Sequence, residues 1–167
     1  MFKMLAFEVR NMRPEPATPD QTRGGQTSPR QTAETGHNSD KDGFDTWRAL
    51  QKATDKKRAD LIADIVGHPK GAPSVEELDY MNPPLSEDAV RRHLNTLKEV
   101  GVVAILELES GDQVHGFPRQ FYTLTEAARE LFDQNGLFPE DAWQREYASV
   151  KKTARIQNVE DMPRPDA

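Results

Sequence analysis

The sequence predicts a mostly helical α+β fold, and three features that follow one another along the chain support this prediction. A short capped helix over residues 74–81 precedes a longer capped helix over residues 86–101, and a Pro-Pro break separates them. After residue 101 the hydrophobic period changes to that of two strands around a polar turn. Three helices, a β-hairpin wing and then additional C-terminal helices are the order of a winged helix-turn-helix.

Composition limits the chain to one ordinary domain with tails. The 167 residues are 35% hydrophobic and 30% charged, which is polar for a globular protein. The absence of cysteine excludes disulfides, thiolate metal sites and cysteine nucleophiles. No apolar run is long enough to cross a bilayer, and the apolar start over residues 1–7 is too short for a secretory signal. We therefore expect a cytoplasmic protein.

Residues 12–43 are rich in Pro, Thr, Gln, Gly and Ser and contain almost no large apolar side chains. Such a segment buries too little surface to offset its ordering entropy. We therefore predict four regions. They are a disordered N-terminal tail (1–43), the winged helix-turn-helix domain (44–136), a C-terminal helix with a possible role in dimerisation (137–156) and a loose, proline-containing tail (157–167).

The net charge of −6 is unevenly distributed. Residues 1–54 carry 8 basic against 7 acidic side chains, and residues 55–167 carry 14 against 21. A net acidic folded part argues against strong non-specific DNA binding through counterion release, although local basic patches remain compatible with it. The excess of Arg over Lys, 13 to 9, beside 28 acids suggests the hypothesis of a salt-rich cytoplasm.

The helix from Ser86 to Gly101 organises the chain. Ser86 is a good N-cap, the acids at 87 and 88 suit the positive end of the helix dipole, and Gly101 supplies a left-handed stop. The apolar stripe consists of Val90, Leu94 and Leu97. The polar face carries Arg91, Arg92, Asn95 and Lys98. Arg and Asn make paired hydrogen bonds to purine edges in the major groove, so this helix suits DNA recognition. A solvated face on an ordinary core helix is the alternative.

Two helical stripes precede this pair. Phe44, Trp47 and Leu50 recur at helical spacing, and a second helix begins at Thr54 or Asp55 unless the first runs straight through. The basic cluster at the start of the second stripe consists of Lys56, Lys57 and Arg58. We interpret this cluster as a solvated helix end. The alternative is that it contacts a phosphate.

The predicted wing is a hairpin with strands over residues 102–109 and 121–124 and a long polar tip over residues 111–120. Gln113, His115 and Arg119 are its candidate contacts to a DNA backbone. A plain α+β hairpin is the alternative, but a hairpin placed directly after a recognition helix is typical of a wing.

Beyond the hairpin, Thr125 caps a helix that ends at Asn135, and Pro139 starts another. Trp143, Tyr147 and Val150 form an aromatic stripe on this last helix. The stripe packs either on the protein's own core or in a dimer interface, where Trp and Tyr are enriched. The candidate dimer-interface residues are Phe44, Trp47, Trp143, Tyr147 and Val150.

Local motifs for catalysis, cofactors and metals are absent. None of the histidines, His37, His68, His93 and His115, has a partner at i+3 or i+4, so we predict no metal site. His93 is interpreted as a packed or backbone-bonded histidine rather than a ligand. There is no Gly-rich phosphate loop, nucleophile elbow or obvious carboxylate pair, so we expect no enzyme and no cofactor.

Residues 57–153 resemble the winged helix-turn-helix regulators of the ArsR-like group, in the form common among halophilic archaea. The resemblance rests on the pattern S-x-x-x-[VI]-x-x-H-L-x-x-L-x-x-x-G-[VL]-[VI] from Ser86 to Val103, and on Y-x-L-T from Tyr122 to Thr125. It implies a homodimer that binds promoter DNA, with the helix from Ser86 in the major groove and the wing at the backbone or minor groove. The metal-sensing members of the group use cysteine clusters, which this chain lacks.

Two functional hypotheses result. The first is a dimeric transcription regulator bound to double-stranded DNA. Its candidate DNA-binding residues are Ser86, Glu87, Arg91, Arg92, Asn95, Lys98, Gln113, His115, Arg119, Lys56, Lys57 and Arg58. The alternative is a winged-helix module for protein–protein interaction without sequence-specific DNA binding, which the acidic balance also suits.

Overall fold

The computed structural model describes residues 43–166, and these form the predicted winged helix-turn-helix, mostly helical with one two-stranded antiparallel sheet. The helices within this range are α1 (Thr46–Ala53), α2 (Lys56–Gly67), α3 (Val75–Met81), α4 (Glu87–Glu99), α5 (Glu126–Gln134), α6 (Glu140–Ser149) and α7 (Ala154–Asp161). The strands are β1 (Val103–Glu107) and β2 (Gln120–Leu124). The predicted N-terminal tail, apart from Gly43, lies outside the described residues.

Side-chain caps begin α2, α3, α4 and α5 where the sequence predicted them. The Asp55 side chain accepts from Arg58 N, so α1 and α2 are separate helices. Ser74 and Glu77 form a full capping box at α3. Ser86 Oγ accepts from Ala89 N at 3.2 Å and starts α4. Each cap satisfies a first-turn amide that would otherwise lack a partner.

The apolar stripe of α4 decides which way that helix faces. Val90, Leu94 and Leu97 are fully buried in the main core, packed with side chains of α2, α3 and the hairpin. Burial of a Val or Leu side chain contributes about 1.5–3 kcal/mol. The stripe therefore holds α4 with its opposite face in solvent, where Arg91 and Asn95 are exposed.

The hairpin pairs Val103 with Leu124 and Glu107 with Gln120. β1 ends two residues before the predicted strand end, and the loop that follows spans residues 108–119. Thr125 ties the base of the hairpin to the end of α4, because its hydroxyl donates to the Gly101 carbonyl at 2.6 Å. The wing thus leaves the core directly beside α4.

The C-terminal region differs from the prediction of one helix followed by a loose tail. The chain forms α6 and α7, and Thr153 caps the second of these by accepting from Ile156 N at 3.3 Å. Ile156, Val159 and Met162 are buried. The prediction of a loose tail from residue 157 onward was wrong because contacts with α3 and the hairpin, which lie far away in sequence, order this segment. No helix within residues 43–166 is long and apolar enough to cross a membrane.

Candidate nucleic-acid interface

The polar face that the sequence predicted for α4 is exposed to solvent. Side chains that the sequence assigned to it are all exposed: Ser86, Glu87, Arg91, Arg92, Asn95 and Lys98. Arg91, Arg92, Asn95 and Lys98 follow the buried residues by one or two positions, which turns them away from the stripe on a 3.6-residue helix. Ser86 and Glu87 are exposed because they lie at the N-terminal end of α4.

Arg91 is paired with Glu87 one turn earlier. The Arg91 Nε donates to Glu87 Oε1 at 3.2 Å, and Nη2 donates to the same oxygen at 2.5 Å. Both side chains are about half exposed, at 49% and 55%. An exposed i,i+4 pair contributes only about 0.3–0.5 kcal/mol. The guanidinium is therefore available to a ligand that offers a better acceptor.

A cleft of about 550 Å³ separates the first turn of α4 from the wing. Its charged lining residues are Glu76, Glu87, Arg91, Glu107, Arg119 and Arg155. The tertiary structure thus brings Arg91 of α4 and Arg119 of the wing to the same concave surface. Basic side chains on both walls suit an anionic ligand, while the three carboxylates balance their charge in its absence.

The other predicted wing residues differ in orientation. His115 is exposed at the tip of the loop. Gln113 is half-buried, and its amide donates to the Leu108 carbonyl at 3.3 Å. The Gln113 side chain therefore stabilises the loop through an internal hydrogen bond. His115 and Arg119 are the predicted wing residues that face solvent.

The three residues of the basic cluster at the start of α2 differ in exposure. Lys56 is highly exposed and pairs with Asp60 at 3.1 Å, as expected of a solvated helix end. Lys57 is exposed. Arg58 is only 17% exposed, and its Nε donates to the Lys52 carbonyl at 2.6 Å. Arg58 thus ties α2 to the end of α1.

His93 lies on the flank of α4 near that cluster and is half-buried, which agrees with its interpretation as a packing residue. Partial burial lowers its pKa, and the positive charges of Arg58, Lys57 and Arg92 lower it further, while Asp55 opposes them. The imidazole is therefore neutral near pH 7, and the fixed charges there come from its Arg and Lys neighbours.

A buried polar cluster that was not predicted from the sequence joins the end of α2, α3 and the segment after α7. His68 Nε2 and Glu77 Oε1 are 2.9 Å apart, and both side chains are fully buried. The other oxygen of Glu77 accepts from the amide and hydroxyl of Ser74, at 2.7 and 2.9 Å. Arg164, near the C-terminus, donates to both Glu77 oxygens at 3.1 and 3.2 Å. Burial alone would raise the pKa of Glu77, but the hydrogen bonds from His68 and Ser74 and the Arg164 charge hold it below its usual range.

Part of this cluster is also a candidate metal site, because it contains imidazole and carboxylate ligand atoms close to one another. Within residues 43–166, ligand atoms of His68, Glu77 and Glu160 lie within 4.8 Å of one another. Each carboxylate already has a cationic partner, because Arg164 pairs with Glu77 and Lys152 pairs with Glu160 at 2.6 Å. A divalent ion would have to displace these cations, so the arrangement favours an ion-pair network.

The candidate dimer residues fall into two groups. Tyr147 is buried at 2% exposure, and its ring meets His68 edge-on at 5.5 Å between centroids. For Tyr147, packing on the protein's own core is therefore the correct alternative. Trp143 and Phe44 are half-buried, whereas Trp47 is 76% exposed and Val150 is also exposed.

The described chain is similar to a solved structure from Halomicrobium mukohataei, whose title describes a protein with a GntR superfamily winged-helix-turn-helix domain. The TM-score is 0.66 at 28% identity, over 75% of this chain and 90% of the other. No protein-family model and no curated protein matches the sequence. The likeness supports the winged helix-turn-helix fold but does not support the ArsR-like subtype that the sequence resemblance implied.

Proposed function

We propose that this protein is a transcription regulator that binds double-stranded DNA in a sequence-specific manner, with α4 in the major groove. The observation that carries the proposal is the juxtaposition of the exposed polar face of α4 with Arg119 of the wing across one cleft. A helix that suits the major groove, with a hairpin beside it that presents an exposed Arg to the backbone, is compatible with the docking of helix-turn-helix proteins. The likeness to the GntR superfamily domain supports the same function.

Base recognition is assigned to Arg91 and Asn95, with Arg92 beside them. Arg makes bidentate hydrogen bonds to guanine and Asn to adenine. Because the Arg91 pair with Glu87 is exposed and weak, exchanging the carboxylate for a base edge costs little. We assign backbone contacts to Ser86 and Lys98, which are exposed near the two ends of the helix.

Backbone contacts from outside α4 are assigned to His115 and Arg119 on the wing and to Lys56 and Lys57 on α2. All four are exposed. Arg58 and Gln113 are held by internal hydrogen bonds, so we assign them structural roles instead.

A homodimer is part of the proposal, with Trp47 and Val150 as its interface candidates. Trp47 is 76% exposed on α1, and a large aromatic ring in that state suits a partner surface. Sedimentation of the wild type and of Trp47→Ser tests this, because loss of the ring should convert dimer to monomer.

A protein–protein interaction module is the second candidate. The exposed Trp47 and the excess of acids over bases in residues 55–167 favour it. The two candidates differ in their response to salt, because DNA binding through phosphate contacts weakens steeply as salt rises and an apolar protein contact does not.

Fluorescence anisotropy with the protein's own upstream DNA and with a scrambled duplex, at low and molar potassium chloride, tests the proposal. We expect tighter binding to the upstream DNA. Arg91→Ala should cost about 1–3 kcal/mol of specific binding. Arg145→Ala, which removes the same charge from an exposed position on α6, is the matched control. Equal, weak binding to both duplexes, or an unchanged affinity of Arg91→Ala, would contradict this assignment.

A further inference from the structure

Arg155, in the first turn of α7, joins three elements that are far apart in sequence. Its Nε and Nη2 donate to the two carboxylate oxygens of Glu76 on α3, at 2.7 and 2.9 Å. The same Nη2 donates to the Gly116 carbonyl in the wing loop at 2.7 Å. The guanidinium carbon also lies 4.4 Å from the centre of the Phe117 ring.

The wing loop has few backbone contacts that would define its conformation. Leu108 N donates to the Arg119 carbonyl at its base, and two turn-type bonds follow, to Glu109 and Val114. The Gly116 backbone is left-handed, with φ of +81°, and its carbonyl points to Arg155. The Arg155 contact therefore lies in the turn between Val114 and Phe117, away from the backbone bond at the base of the loop.

The segment after α7 holds the base of the same loop. Met162 is buried in a small apolar cluster with Leu108 and Phe121, and Phe117 packs against that cluster. The Arg164 guanidinium lies 4.2 Å from the centre of the Phe121 ring. The C-terminal region thus contacts the base of the hairpin through Met162 and Arg164, and contacts the wing loop through Arg155.

We propose that Arg155 is a positioning residue of the wing, which fixes Gly116 and Phe117 against α3 and thereby aims His115 and Arg119 at the DNA backbone. The effect on DNA rests on the proposed function. A planar guanidinium suits this role because it donates to a carboxylate and a carbonyl at once in a rigid geometry. A preorganised wing loses less conformational freedom on binding, which improves affinity without a new contact.

Hydrogen exchange of the wing amides tests the structural part without any DNA. In Arg155→Ala, we expect faster exchange over residues 108–119 and an unchanged urea midpoint for the whole domain. Arg155→Lys should restore protection only in part, because an ammonium lacks the bidentate fork. Arg145→Ala, with the same charge change on α6, should leave the wing unchanged. Equal wing exchange in Arg155→Ala and Arg145→Ala would overturn the proposal.

DNA affinity tests whether Arg155 acts through the wing or touches DNA directly. Arg155→Ala should bind roughly 2- to 12-fold more weakly than Arg145→Ala, the cost of immobilising one side chain. In a Glu76→Ala background, which removes the anchor of the Arg155 guanidinium on α3 but leaves its contact with Gly116, the further effect of Arg155→Ala should be smaller than in the wild type. An undiminished effect in that background would mean a direct phosphate contact and would overturn the positioning role. If the wild type binds no DNA, the proposed function fails, and the exchange measurement still decides whether Arg155 fixes the wing.

Discussion

The Asp64 carboxylate on α2 accepts a hydrogen bond of 2.7 Å from the Asn82 amide at the residue where α3 ends. The same Asn82 nitrogen donates to the Leu78 carbonyl at 2.8 Å. The partly buried Asp64 thus fixes the start of the turn that connects α3 to α4. Burial raises the pKa of Asp64 to about 7, the hydrogen bond from Asn82 opposes the rise, and the charge of Asp60 adds to it.

Asp64→Asn should remove a pH dependence of stability. Because the pKa of Asp64 is higher in the folded chain than in the unfolded one, the folded state binds the extra proton between about pH 4 and 7. The contribution of Asp64 to stability is therefore full below that window and falls as pH rises through it. The lowered pKa of His93 acts in the opposite direction, so the comparison must be between variants. On going from pH 8 to pH 5, the urea midpoint of the wild type should rise relative to that of Asp64→Asn, which lacks the titrating carboxyl group. An identical difference in the two proteins would show that Asp64 is ionised throughout.

Arg164→Ala should destabilise the domain strongly. It leaves the fully buried Glu77 without its cation and frees three carbonyls, of Ala72, Val159 and Met162, that Arg164 now satisfies. Removal of one partner from a buried ion pair costs about 3–5 kcal/mol. Chemical denaturation measures the loss. A chain that ends at Pro165 keeps Arg164 and should unfold like the wild type, and a comparable stability of Arg164→Ala would refute the assigned role.

Gly67→Ala should push α6 away from α2. A Cβ at Gly67 would lie 2.5 Å from the Trp143 carbonyl oxygen and 2.9 Å from the Tyr147 Cβ, both closer than real contacts allow. Overpacking of this kind costs about 1–3 kcal/mol. Gly111→Ala is the matched control, because a Cβ there meets nothing within 4 Å. Thermal unfolding of the two variants should separate them, and equal melting temperatures would mean that α6 adjusts freely.

Glu87→Gln should tighten DNA binding if the proposed function is correct. The change releases Arg91 from its exposed i,i+4 ion pair, which is worth about 0.3–0.5 kcal/mol, and removes a negative charge from the proposed DNA-facing surface. Glu99→Gln makes the same charge change at the other end of α4 and controls for net charge. Anisotropy titrations should show a gain for Glu87→Gln of roughly 2-fold over the control. A loss of affinity would indicate that Glu87 itself accepts from a cytosine amino group.

Local patterns predicted the part of the fold that depends on near neighbours. Ser86, Thr125 and the Ser74 capping box act within three residues along the chain, and the structure has all of them. The stripe of α4 was predictable because helical spacing places Val90, Leu94 and Leu97 on one side. The change of hydrophobic period after Gly101 likewise predicted the hairpin.

The candidate recognition residues of α4 were predictable from the same periodicity, since the exposed face is the complement of the buried stripe. The roles of Arg58 and Gln113 were not, because each depends on a carbonyl in a loop or helix end whose position the sequence does not specify. The choice between core and interface for Tyr147 required the packing of α6 on α2 around Gly67.

The sequence by itself determined the order of the elements, their caps and the polar face of α4, because these follow from dihedral preferences and from hydrophobic periods over a few turns. Only the tertiary structure decided that Arg164 neutralises Glu77, 87 positions away, and that Arg155 bonds Gly116, 39 positions away. The segment from residue 157 onward was predicted to be a loose tail because the partners of Met162 and Arg164 lie on α3 and the hairpin. Buried charge requires a partner in space, whatever its distance in sequence.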